Sequence, residues 1–119
     1  MIDMKLVILE SPYAGNVKRH VRYAQLCVFD SLQRGEAPIA SHLLYTQMLD
    51  DNILEERNWG INAGLAWRKA ASHSVVYTDF GITSGMKYGI KAVQDEGNEI
   101  EYRTLSPEVV AQLIVDFPD

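Results

Sequence analysis

Short apolar runs and stripes of helical period alternate along the whole chain. Met4–Leu9 (MKLVIL) is apolar with β-branched members and predicts a buried strand. It stops at Glu10-Ser11-Pro12-Tyr13-Ala14-Gly15, where proline and glycine force a turn. Asn16 can cap the next element, a helix in which Val17, Val21, Ala24, Val28 and Leu32 recur opposite Lys18, Arg19, Arg22 and Gln25. Gly35 ends it. Ala37–His42 (APIASH) predicts the second strand. The irregular stretch Leu43–Leu54 carries Tyr45, Gln47, Asp50 and Asp51, and is long enough to form a flap over a site. From about Glu55, Trp59, Ala63, Ala66 and Ala70 share a helical face, with Leu65 and Trp67 beside it. Ser74–Tyr77 is the third strand, and Thr78-Asp79-Phe80-Gly81 its exit. Thr83 or Ser84 caps a helix running to Glu96, with Met86, Ile90 and Val93 inward and Gly97 as its stop. Glu99–Arg103 alternates apolar and charged residues, as an edge strand does. Ser106-Pro107-Glu108 opens a last helix containing Val109, Val110, Leu113, Ile114 and Phe117.

This order, βαβαβαβα without linker or repeat, predicts an α/β fold: a single-domain, doubly wound parallel sheet over residues 1–119. Right-handed crossovers make 2-1-3-4 the expected order of the four strands, with helices on both faces. Strands one and three are then neighbours whose helices leave toward opposite faces. The crevice at their C-terminal ends is the switch point where such sheets bind ligands. The exits of those two strands are also the most loop-like, glycine-bearing segments of the chain.

Composition narrows the partners. The chain is 47% hydrophobic and 23% charged, the balance of a globular protein, with a net charge of −5. No basic run exceeds Lys18-Arg19, so bulk nucleic acid is not an expected partner. A small phosphorylated ligand needs only a few amides or one cation. No apolar run approaches the ~20 residues of a membrane span and no signal peptide precedes the first strand, so the expected setting is cytoplasmic, without membrane contact. Cys27 is the one cysteine and lies in an apolar stretch, where a buried small hydrophobe is expected.

The candidate ligand residues belong to the two exits. Asp79, Gly81, Thr83, Ser84, Gly85 and Met86 put hydroxyls and glycines at a helix N-terminus, which suits either an anion or a plain helix cap. On the facing loop, Ser11, Pro12, Tyr13, Ala14 and Gly15 offer polar contacts and a ring to stack on a base; a simple turn under a tyrosine lid is the alternative. Glu10 ends a strand where a small apolar residue is usual. It either points into the crevice and binds ribose hydroxyls or pairs with Arg22 or Lys87. His42 and Tyr45 can reach the same rim. His20 and His73 read as structural. No two His or Cys residues have metal-ligand spacing, and neither dinucleotide nor triphosphate glycine motifs occur, so no metal or cofactor is expected.

Taken together, Ser11-Pro12-Tyr13-Ala14-Gly15, Trp67…Ala71-Ser72-His73-Ser74-Val75-Val76 and Asp79-x-Gly81…Ser84-Gly85-Met86…Ala92 resemble the nucleoside 2-deoxyribosyltransferase-like superfamily over roughly residues 4 to 104. That family includes deoxynucleoside-monophosphate N-glycosidases and many small proteins of phage origin. The resemblance implies that the first-strand loop and the Ser-Gly helix start hold base, sugar and 5′-phosphate, and that the protein forms homo-oligomers, dimers or larger. This sequence departs from the family where its chemistry lies. The nucleophilic glutamate corresponds to Tyr88 or Gly89, and a supporting aspartate to Gly64 or a neighbour. Covalent glycosyl transfer needs a carboxylate. The expectation is therefore a protein that binds a nucleotide-derived small molecule without cleaving it. If it is phage-encoded, it would act in the host cytoplasm, where sequestering a cyclic or ADP-ribose-type nucleotide signal is the use to expect. The alternative is an N-glycosidase or deoxyribosyltransferase drawing its carboxylate from Glu10, Asp79, Asp50 or Asp51. A purely structural module would require Met86 and Phe80 to block the crevice.

Overall fold

The computed structural model describes residues 4–119. Four parallel strands, β1 (Lys5–Glu10), β2 (Glu36–Ile39), β3 (His73–Tyr77) and β4 (Ile100–Arg103), lie in the order β2-β1-β3-β4. The helices are α1 (Val17–Gln33), α2 (Leu54–Arg68), α3 (Ser84–Asp95) and α4 (Pro107–Asp116). This is the doubly wound sheet expected from the alternation.

Strand alternation sorts the two layers. Val7, Leu9, Val75 and Tyr77 project to one face and form the main core with Tyr23 and Cys27 of α1 and Leu113 of α4. The opposite face carries Val76, packed with Met86 and Ile90 of α3. Ile8 and Glu10 of β1 lie on this second side. The register Glu10↔Val76 places the end of β1 beside the end of β3, which opens the crevice.

The capping residues act as expected. Asn16 Oδ1 accepts from the Arg19 N–H (3.3 Å), and the Thr83 and Ser106 hydroxyls accept from Met86 and Val109. Pro38 is tolerated because β2 is an edge strand and needs no outward N–H.

Two expectations are corrected. The second strand ends at Ile39, so Ser41 and His42 lie in a 3-10 turn (Ser41–Leu43), followed by a second (Tyr45–Gln47). Closure of that turn by Leu43 N–H to Ala40 O (3.0 Å) swings His42 away from the sheet edge. The α2 stripe of Trp59, Ala66 and Trp67 faces outward, with Trp59 55% and Trp67 46% exposed. Gly60, Ile61, Gly64 and Leu65 face inward instead. The first 3-10 turn lies close on α2 at Gly64, where a Cβ would be 3.0 Å from Ser41 Oγ.

A cavity at the strand switch point

Beyond the C-terminal ends of β1 and β3 a cavity of about 350 Å³ opens between α2, α3 and the two 3-10 turns. Its wall takes Glu10, Ser11, Tyr13 and Ala14 from the end of β1 and the loop after it. His42 and Tyr45 come from the 3-10 turns, and Thr83, Ser84, Gly85 and Met86 from the start of α3. Met86 is buried in the wall without closing the space, and Phe80 packs on Tyr23 against the main core. The crevice is therefore open.

Each wall segment is held from behind. His20 Nδ1 donates to the Tyr13 carbonyl (3.1 Å), which fixes the loop after β1. Ser11 Oγ lies 2.7 Å from His42 Nε2, tying that loop to the first 3-10 turn. Trp67 Nε1 donates to the Tyr45 hydroxyl (2.8 Å), so α2 orients that ring. Burial pushes His42 down to about 4, leaving it a neutral imidazole near neutral pH. At the mouth, the first-turn amides of Ser84 and Gly85 have no acceptor within α3. Exposed Arg57 adds a cation to the same wall.

Glu10 is the unusual member. As the last residue of β1 it projects to the α2/α3 side, and its carboxyl lies flat on α3 at Gly89. A Cβ on Gly89 would fall 2.9 Å from Oε1, 3.1 Å from Cδ and 3.2 Å from Oε2. Glycine is what makes the room. Burial pushes the carboxyl up to about 7, against the opposing pull of Arg68. Arg68 is itself engaged by Glu96 at 2.6 Å. Among the described residues, no hydrogen bond or ion pair reaches the Glu10 carboxyl, so neither Arg22 nor Lys87 pairs with it.

Asp79 is drawn elsewhere. Its Oδ2 accepts from the Tyr23 hydroxyl (2.7 Å) and the Leu105 N–H (2.9 Å), joining α1, the β3 exit and the approach to α4. Neither Asp79 nor Gly81 lines the cavity, and Pro12 and Gly15 shape the loop from outside it. Asp51 sits on the cavity wall, whereas Asp50 lines only a shallow outer depression.

A family described as a domain of unknown function (DUF7768) matches residues 5–103. The chain belongs to that family. The matched span of DUF7768 contains every residue that lines the cavity, whereas α4 lies beyond it. No curated protein and no solved structure matches the chain.

The sequence reading did not select the α2 contribution. Gly60, Gly64 and Arg68 recur every four residues and form one helix face, small at two turns and cationic at the third. That spacing was the available signal. Tyr88, Gly89 and Gly64, the positions that the resemblance sets opposite carboxylates, all line the cavity. Among the described residues no group of three or more His, Cys, Asp or Glu side chains is placed to hold a metal, and no helix is long and apolar enough to cross a membrane.

Proposed function

We propose that the protein binds a nucleotide-derived small molecule in the switch-point cavity and releases it unchanged. One observation carries this reading: an open cavity of about 350 Å³, the size of a small-ligand site, combines apolar and polar side chains with helix-start amides and the Arg57 cation in its wall. Tyr13 and Tyr45 supply ring faces for a base. The amides of Ser84 and Gly85, with Arg57, suit a phosphate. No carboxylate projects from α3 at Tyr88 or Gly89. A protein that holds a nucleotide intact is suited to sequestering a nucleotide signal.

The test is incubation of the purified protein with nucleosides, nucleotides, ADP-ribose derivatives and cyclic dinucleotides. Native mass spectrometry reads what is bound, and chromatography reads what is cleaved. A ligand held and recovered intact is the expected result; absence of binding across the panel would overturn the reading.

A second reading, N-glycosidase or deoxyribosyltransferase, is favoured by one feature. The Glu10 carboxyl lies over Gly89, one of the two positions the resemblance assigns to the nucleophilic glutamate. Turnover to free base, abolished in Glu10→Gln, would establish this reading in place of the first.

A further inference from the structure

The carboxyl of Glu10 lies in the wall of a ligand-sized cavity, flat against α3 at Gly89, without a hydrogen-bond partner among the described residues. A polar group so placed is costly unless something supplies its hydrogen bonds. The neighbouring guanidinium of Arg68 does not, because Glu96 holds it. Water in the open cavity reaches the carboxyl, and a ligand group that displaces it must match the form of Glu10 that it meets.

Three kinds of heterocycle edge are distinguishable. An ionised carboxylate has two acceptors and suits a donor–donor edge, such as the N1–H and amino group of guanine. A neutral carboxyl has one donor and one acceptor, and suits an amidine edge or a lactam edge. An amidine edge, a ring nitrogen beside an amino group, has the more basic acceptor. It can also take the proton outright, giving a carboxylate–amidinium pair with both bonds charge-assisted. One proton stays in the complex either way. A lactam edge has only the weaker neutral arrangement.

We propose that Glu10 is the specificity residue of this cavity, engaging as a neutral carboxylic acid the amidine edge of an aminopurine or aminopyrimidine, the edge that adenine and cytosine carry. This rests on, and narrows, the nucleotide-binding reading above. Burial favours the neutral form, in line with the carboxyl's rise to about 7. A docked base removes the remaining water and favours it further. The other charged or titratable groups in the wall are Arg57 and Arg68 of α2, Tyr88 of α3, His42 and Tyr45 of the turns, Asp51, and Tyr13. Burial already holds His42 near 4, outside the range that the test scans.

The test uses phosphate-free probes, so that no ligand phosphate titrates. Adenosine, inosine, cytidine, uridine and guanosine, with free adenine and hypoxanthine, are titrated by calorimetry at pH 6 and pH 8. Adenosine and cytidine should bind more tightly than inosine, uridine and guanosine. Their affinity should fall about tenfold from pH 6 to pH 8, as retention of one proton on a group titrating near 7 requires. Glu10→Gln offers the same donor and acceptor without titrating. It should bind adenosine equally at both pH values, within a few-fold of the native protein at pH 6 and more tightly than it at pH 8, whereas Glu10→Ala should bind at least tenfold more weakly than the native protein at pH 6. A preference for guanosine that strengthens at pH 8, or a pH dependence surviving in Glu10→Gln, overturns the proposal. Nucleosides binding without regard to the base edge would sink it while leaving the nucleotide reading intact. Adenine binding with the expected pH dependence while nucleosides and nucleotides fail would do the reverse. Failure of every probe would overturn the proposal, and failure of the nucleotides in the mass-spectrometric panel as well would overturn both.

Discussion

Glu10 and Glu36 are glutamates on neighbouring strands, and the sheet sends them to opposite faces with opposite results. Glu36, the first residue of β2, meets the Arg103 guanidinium through two bonds (Nη1 to Oε1 2.8 Å, Nη2 to Oε2 2.7 Å) and the Ser31 hydroxyl (2.8 Å). Arg103 also reaches Glu101 and the Tyr77 hydroxyl. These bonds, Arg103's first, hold the Glu36 carboxyl below its usual range. Glu10 finds no donor, and burial drives it the other way. On the face toward α1 and α4 the Glu36–Arg103 pair is satisfied inside the fold. The face toward α2 and α3 has a carboxyl and an opening.

The largest expected effect lies on the face that holds the pair. Arg103→Met strips Glu36 of its counter-charge, and breaking a buried pair from one side costs about 3 kcal/mol or more. Urea denaturation should show that loss, and a cost under about 1 kcal/mol would mean that Ser31 and water suffice for Glu36. On the open face, Gly89→Ala places a methyl where the Glu10 carboxyl lies. Adenosine binding should weaken about tenfold, equal to about 1.4 kcal/mol. Stability should change less, because alanine favours the helix by about 1 kcal/mol and offsets the displaced side chain. Unchanged binding by calorimetry would separate the carboxyl's position from the site's function.

The pH signatures of the two glutamates should also oppose each other. The lowered Glu36 contributes stability that is present above the ordinary glutamate range and lost as pH falls through it. For Glu10 the unfolded chain ionises near 4.5, while the folded chain keeps its proton to about 7. Stability on that account falls as pH climbs between those values and is level above them. Glu10→Gln removes the penalty. At pH 8 it should be more stable than the native chain by about 1 kcal/mol, a figure discounted for the water that the cavity admits, with no gain at pH 4.5. Equal shifts at both pH values in urea titrations would contradict this. The smallest effect belongs to Trp67→Phe, which loses the exposed bond to Tyr45. It should cost about 0.5 kcal/mol or less, with any change visible mainly as weaker ligand binding.

The local parts of this fold were legible because local chemistry carries them. Asn16, Thr83 and Ser106 each cap through their own side chain onto an amide three residues on, and those bonds need nothing distant. Strand order came from the alternation of elements and the handedness of crossovers. The location of the cavity came from strand order, and with it the placement of Ser11, Tyr13, Ala14, Thr83, Ser84, Gly85 and Met86 on its wall. The direction of α2 was not legible. Its tryptophans and alanines make the more apolar stripe, yet the inward side is the one where Gly60 and Gly64 let the Tyr45 and Ser41 turns lie close. Hydrophobic periodicity ranks faces by apolarity; close approach ranks them by size.

The sequence by itself determined the elements, their caps, the parallel order and the end of the sheet where the cavity opens, because each depends on neighbours in the chain or on general handedness. Only the tertiary structure decided that Asp79 is tied to Tyr23 and Leu105, that His42 meets Ser11, and that Glu10 rests on Gly89 without a donor. Those outcomes turn on distances of a few ångströms between residues 26 to 79 positions apart, which are set by how the layers pack.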